Sequence, residues 1–242
     1  MKILNVGDRV MNTWVYVRSD GAVVMVDTGY ARSMARVVRR LRRHGVAPES
    51  VRTIFLIHAH DDHAGFLNEW LTTYPETQVV ASEKALAVLL RGQNAFDGGC
   101  SGGLAWLFCQ LMRLAGKGAH RFPALEWCFL DRFVVVTAQE KVEAERLLGG
   151  RILETPGHTA DSLSLQVGQA MFCGDAAMNG LPSRHRVTIW VSEMAAFSRS
   201  WQRLLASGAE VLYPGHGKPF ATVELARFLP HLAKVRLYAL HR

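Results

Sequence analysis

The stretch 57-IHAHDDHAG-65 gathers three histidines and two aspartates into six consecutive positions. His58, His60, Asp62 and His63 fall on the pattern H-x-H-x-D-H. At this composition the pattern arises by chance in roughly one chain per thousand. The residues before it, 52-RTIFLI-57, are apolar and β-prone, and 64-AGFLNEWLTTY-74 after it has helical periodicity. The cluster therefore stands where a strand hands over to a helix. Extended backbone points side chains i and i+2 to one face, so His58 and His60 make half of a metal site. Asp62 and His63 follow where the chain turns, and both can aim into the same cavity. Imidazole and carboxylate together suit zinc, iron or manganese.

A two-metal site needs further donors, and the chain offers them at later strand ends. His158 sits in 155-TPGHTADS-162, after a strand and a Pro-Gly turn. Asp175 ends the strand 170-AMFCGD-175, and His216 follows a strand in 213-YPGHG-217. A single histidine after a strand is usually structural. Three donors at successive strand ends, in a chain that already holds H-x-H-x-D-H, read as ligands. The flanking glycines let backbone approach a crowded site.

The remaining pattern falls into two similar halves. The first reads as strands at 13-TWVYV-17, 22-AVVMVDTG-29, 52-RTIFLI-57 and 77-TQVVA-81. Helices follow at 31–45, 64–74 and 82–92, the last with Ser82 as its N-cap. The second half has strands at 151-RILETPG-157, 162-SLSLQV-167, 170-AMFCGD-175 and 210-EVLYPG-215. Its helices are expected at 192–208 and 222–240, the latter bent at Pro230. Two sheets covered by helices follow from this order. Residues 93–150 fit neither series. They contain 98-GGCSGG-103, suited to a hinge, and 104-LAWLFCQLMRLAGKG-118, where Leu104, Leu107, Phe108, Leu111 and Leu114 repeat at helical spacing. Such a helix needs a cover: the main domain, a second chain or an apolar substrate. A lid over the site, presenting Trp106, Phe108 and Met112, is the expectation.

The chain has 242 residues, 49% of them hydrophobic and 20% charged, which suits one globular domain with a sizeable core. Its start lacks the pattern of a secretory signal, and its most apolar segment is too short to span a bilayer. Four cysteines without C-x-x-C spacing suggest neither a disulfide framework nor a cysteine-based zinc site, and a cytoplasmic setting is expected. The net charge is +7, and 31-ARSMARVVRRLRRHG-45 alone carries six arginines. Met34, Val37, Val38 and Leu41 line one face of that helix. No aromatic residue interleaves with the arginines as a base-stacking site requires, so a solvated outer face is expected rather than a nucleic-acid site.

The ordered set Asp27-Thr28-Gly29, His58-x-His60-x-Asp62-His63, His158, Asp175 and His216 resembles the metallo-β-lactamase superfamily. The likeness spans nearly the whole chain. It implies an α/β fold, a four-layer αββα sandwich formed as a single domain over 1–242, with a helical insertion at about 93–150. It implies two divalent transition-metal ions, zinc first, with iron or manganese as alternatives. His58, His60 and His158 would hold one, and Asp62, His63 and His216 the other. Asp175 would bridge them, and Asp27 would support the site without binding metal. Two cations on one water bring its pKa near neutrality, so hydroxide is available to attack an ester, thioester, lactone or phosphodiester. Asp62 is the candidate catalytic residue, handling the proton of that water.

Single letters narrow the class. His63 replaces an arginine of many true β-lactamases, which argues against antibiotic hydrolysis. His60 stands where redox di-iron members carry glutamate. The pattern is closer to glyoxalase II, the lactonases and the phosphodiesterases, although 157-GHTADS-162 lacks the longer glyoxalase signature. Two competing readings are a mononuclear iron enzyme resembling the persulfide dioxygenases, using His58, His158 and Asp175, and a nucleic-acid-binding or processing protein led by the arginine helix. The expected partner is a small-molecule substrate with an apolar portion. A homodimer is the further possibility.

Overall fold

In the computed structural model, residues 1–240 are described. The elements run β1 (Lys2–Asn5), β2 (Trp14–Val17), β3 (Val23–Val26), α1 (Met34–Arg43), β4 (Val51–Phe55), α2 (Leu67–Thr73), β5 (Gln78–Ser82) and α3 (Glu83–Arg91). There follow β6 (Gly99–Cys100), α4 (Gly103–Leu114), β7 (Phe133–Val136), α5 (Lys141–Leu148), β8 (Arg151–Glu154), β9 (Leu163–Val167) and β10 (Ala170–Gly174). The last are β11 (Trp190–Val191), α6 (Met194–Ala206), β12 (Val211–Pro214), β13 (Phe220–Ala221) and α7 (Glu224–Leu232). Two compact units result, one from Met1–Asn94 with Arg121–Arg151, the other from Ala95–His120 with Ile152 onward.

The first unit is built on a six-stranded sheet in the order β1-β2-β3-β4-β5-β7. Its β1–β3 meander is antiparallel, and β3, β4, β5 and β7 run parallel. The parallel strands read as unbroken apolar runs because a parallel sheet is covered on both faces; all four residues of β3 are buried. Helix α1 buries Met34, Val37 and Leu41 and leaves its arginines outward, while α2 buries Leu67, Trp70 and Leu71. Ser82 caps α3 as expected, its hydroxyl accepting from the Lys84 N–H at 3.3 Å. These side chains form one continuous core with Ile54, Leu56 and Phe66.

The second unit has a five-stranded sheet in the order β13-β12-β10-β9-β8 and a β6–β11 ribbon. Strands β10 and β12 are parallel, so the loops that follow them leave the same edge. Phe197, Trp201 and Leu204 of α6 pack with Met171, Leu212 and Leu225 in a separate core. The Trp201 indole N–H donates to the Ala176 carbonyl at 2.7 Å.

Two expectations need correction. The helix foreseen over 222–240 ends at Leu232, because Pro230 lacks an N–H for the Ala226 carbonyl and its ring crowds that carbonyl. The chain beyond becomes a strap, with Tyr238 and Cys100 exchanging backbone hydrogen bonds of 2.9 Å. Residues 93–150 do not form one insertion. Their first part, with α4, belongs to the second unit, and their later part supplies β7 and α5 to the first. Tyr16 of β2 fastens α5 by donating to the Leu148 carbonyl at 2.6 Å, and its burial raises the phenol pKa.

Candidate metal centre

In the first unit the site begins at the carboxyl end of β4. After Phe55 the chain leaves the ladder through buried Leu56 and Ile57 and presents His58, His60, Asp62 and His63. The His58 ring lies 4.5 Å from that of His60 and 3.9 Å from that of His63, centre to centre. All three imidazoles are buried. An Asp62 carboxylate oxygen lies 4.0 Å from His63 Nε2. The expected quartet is therefore gathered at one strand end.

Asp27 organises this loop. It follows β3, which is parallel to β4, so its carboxylate emerges at the same edge. Its Oδ1 accepts from the Ile57 N–H at 2.8 Å, and its Oδ2 lies 2.7 Å from His63 Nδ1. An imidazole that donates from Nδ1 to a carboxylate keeps Nε2 for a ligand, a common arrangement behind a metal. Thr28 adds two contacts of 2.7 Å to the His63 carbonyl, from its N–H and its hydroxyl. Asp27 thereby ties the His63 ring and the Ile57 backbone to the end of β3. Gly65 is required where the loop enters α2: a Cβ there would lie 2.3 Å from Ala31 N and 2.4 Å from Asp61 O.

Asn94 is a contributor that the sequence did not single out. Its side chain accepts from the Asp61 N–H and donates to the Asp61 carboxylate, both at 2.8 Å. That clasp occupies Asp61 and leaves Asp62 as the acid among the histidines. No local pattern marks Asn94, because its partner is 33 residues away.

In the second unit, Asp175 follows β10 directly, His216 follows β12, and His158 lies in the turn between β8 and β9. Asp175 Oδ2 is 3.7 Å from His158 Nε2 and 3.5 Å from His216 Nε2. These spacings exceed a good hydrogen bond. Two donors that share an ion at about 2.1 Å and a tetrahedral angle stand about 3.4 Å apart. One carboxylate oxygen thus keeps ligand-like distances to two imidazoles on opposite sides of it in the chain. His158 Nδ1 lies 2.7 Å from the Trp190 carbonyl, which holds Nε2 on the Asp175 side. Trp190 was the second unforeseen contributor, acting through its backbone. Cys173 is buried, and burial first, then Asp175, pushes its thiol pKa up.

Residues 7–216 match the profile of the metallo-beta-lactamase superfamily. The chain belongs to that superfamily. Among curated relatives, a hydroxyacylglutathione hydrolase of Tolumonas auensis is 24% identical over 204 residues, 84% of this chain and 60% of that protein. The chain therefore spans less than two thirds of that relative. Solved superfamily structures share the fold. TTHA1429 from Thermus thermophilus gives a TM-score of 0.63 at 23% identity, over 96% of this chain and 79% of that one. TTHA1623, solved in a di-iron-bound form, gives 0.62 at 21%, over 94% and 98%. ST1585 from Sulfolobus tokodaii gives 0.61 at 19%, over 95% and 84%. The mixed α/β fold is that of the metallo-β-lactamase superfamily, and its histidine and aspartate clusters are compatible with metal.

Proposed function

We propose that the chain is a dinuclear metal hydrolase acting on an ester, thioester, lactone or phosphodiester of a small molecule. His58, His60 and His158 would hold one divalent ion, and Asp62, His63 and His216 the other. Asp175 would touch both. The observation that carries this reading is the Asp175 carboxylate, with ligand-like spacing to His158 at 3.7 Å and to His216 at 3.5 Å. Zinc fits the imidazole-rich donor set, and iron or manganese would be accepted by it. When bound, such a metal pair supplies hydroxide at neutral pH and draws off the charge that develops on the substrate oxygen.

The chain's own groups divide the remaining work. Asp27 and the Trp190 carbonyl fix the orientation of His63 and His158. Asp62, an acid beside His63, takes up and returns the proton of the attacking water. The thioester class has additional support from the hydroxyacylglutathione hydrolase relative. A panel of thioesters, lactones and phosphodiesters, run on zinc- and manganese-loaded protein, tests the reading. Turnover of one class is expected, and Asp175→Ala should lower it at least about a thousandfold while the fold survives. Full turnover in Asp175→Ala after chelation of stray metal would refute the assignment.

A further inference from the structure

Helix α4 is turned inside out. Of its residues only Ala105 is buried, and the inward stripe continues through Cys109 and Met112. The outward stripe is Leu104, Leu107, Phe108, Leu111 and Leu114, each between 39% and 81% exposed. These positions follow the i, i+3, i+4, i+7 spacing of a face that normally meets a core. The helix is nevertheless held in this orientation. Cys109 beside it raises the pKa of the Cys100 thiol, and Cys100 lowers that of Cys109. The Trp106 indole N–H donates to the Ala239 carbonyl at 3.3 Å, tying the C-terminal strap to the helix.

The sequence on either side of α4, and that of the strap, is cationic. No acid occurs from Gly98 to Leu125, whereas Arg113, Lys117 and Arg121 do. No acid occurs after Glu224 either, and the strap adds exposed Lys234 and Arg236 and the exposed ring of Tyr238. We propose that α4 and the strap form a docking face for an anionic phospholipid surface. Leucine and phenylalanine enter the headgroup boundary, tyrosine sits at its edge, and lysine and arginine meet phosphate. Size and charge favour this occupant over a second copy of the chain. A stripe of five such side chains matches the roughly 300–600 Å² of the largest patch on a monomer. It falls short of the roughly 800 Å² per partner in a stable protein interface. A two-fold dimer through α4 would also set these cations against themselves.

Sedimentation of the metal-loaded full chain with vesicles tests the proposal, using phosphatidylcholine alone and an equimolar mixture with phosphatidylglycerol. The protein should pellet with the anionic vesicles, weakly or not at all with the neutral ones, and less as salt rises. Leu107→Ser/Leu111→Ser and Arg113→Glu/Lys117→Glu should each weaken partition about tenfold, with melting temperature and metal content unchanged. The α1 variant Arg39→Glu/Arg43→Glu should pellet almost as well as the parent. No binding to anionic vesicles, or equal binding to neutral ones, overturns the proposal. Loss with the α1 variant but not the leucine variant would overturn it in favour of the arginine helix. A dimer in sedimentation velocity that Leu107→Ser/Leu111→Ser dissociates would instead make a second copy the occupant.

Discussion

Asp27 shows how one side chain sets the chemistry of another. Its two oxygens are engaged by Ile57 N–H and His63 Nδ1, and its own backbone is held at φ 59°, in the left-handed region. That geometry is maintained by the Asp27 N–H bond to the Phe55 carbonyl at 2.9 Å and by the Thr28 contacts to His63. Removing the carboxylate frees the His63 ring to rotate and to change tautomer. Asp27→Ala should therefore weaken metal affinity by about 10–100-fold, the usual cost of losing a group behind a metal ligand. Zinc titration with a competing chelator reads this directly. A variant with lower melting temperature but parental zinc affinity would make Asp27 purely structural. The candidate ligands were legible in the sequence because H-x-H-x-D-H and the strand-end residues are local patterns. Asn94 and the Trp190 carbonyl were not, since each acts across more than thirty residues and one of them acts through backbone.

Elements were legible where their periodicity was strong. The buried parallel strands β3, β4 and β5, helix α1 and the Ser82 cap all follow from local residues. Strand β7 and helix α5 were missed. The strand is only four residues long and half-buried, and the helix buries only Ala144 and Leu148 while Val142 faces solvent. Their place is fixed by pairing with β5, some fifty residues earlier, which no local window contains. The turn between β8 and β9 is decided by Gly157, at φ +134°, where a Cβ would lie 2.4 Å from Phe197 Cα. Gly157 also presents its carbonyl to the Ser192 and Glu193 N–H groups at 2.7 and 3.0 Å. Gly157→Ala must push α6 away from the His158 turn, and should cost about 1–3 kcal/mol. Denaturant unfolding should show that loss, with zinc affinity reduced alongside it. Unchanged stability would mean that the turn is looser than this packing implies.

At the scale of the whole molecule, two sheets each carry a core of their own, and each has histidines and aspartates at a strand end. The sequence indicated two similar halves through its repeated strand-end histidines and aspartates, and it took 93–150 as one insertion where the structure divides that stretch between the units. Among the described residues no helix is long and apolar enough to cross a membrane. If the donors of both units hold metal, folding and metal binding are linked. Ion at 100 times its dissociation constant adds about 2.7 kcal/mol. A chelator should then lower the melting temperature by roughly 5–10 °C, with recovery on adding zinc; a melting curve indifferent to chelation would count against the linkage. The proposal of a metal pair is tested most directly by elemental analysis of protein produced with ample zinc, iron and manganese. The parent should carry about two transition-metal ions per chain, falling to about one or fewer in Asp175→Ala, as loss of a shared ligand requires. A parent that holds no metal, or a single ion that Asp175→Ala retains, would contradict it.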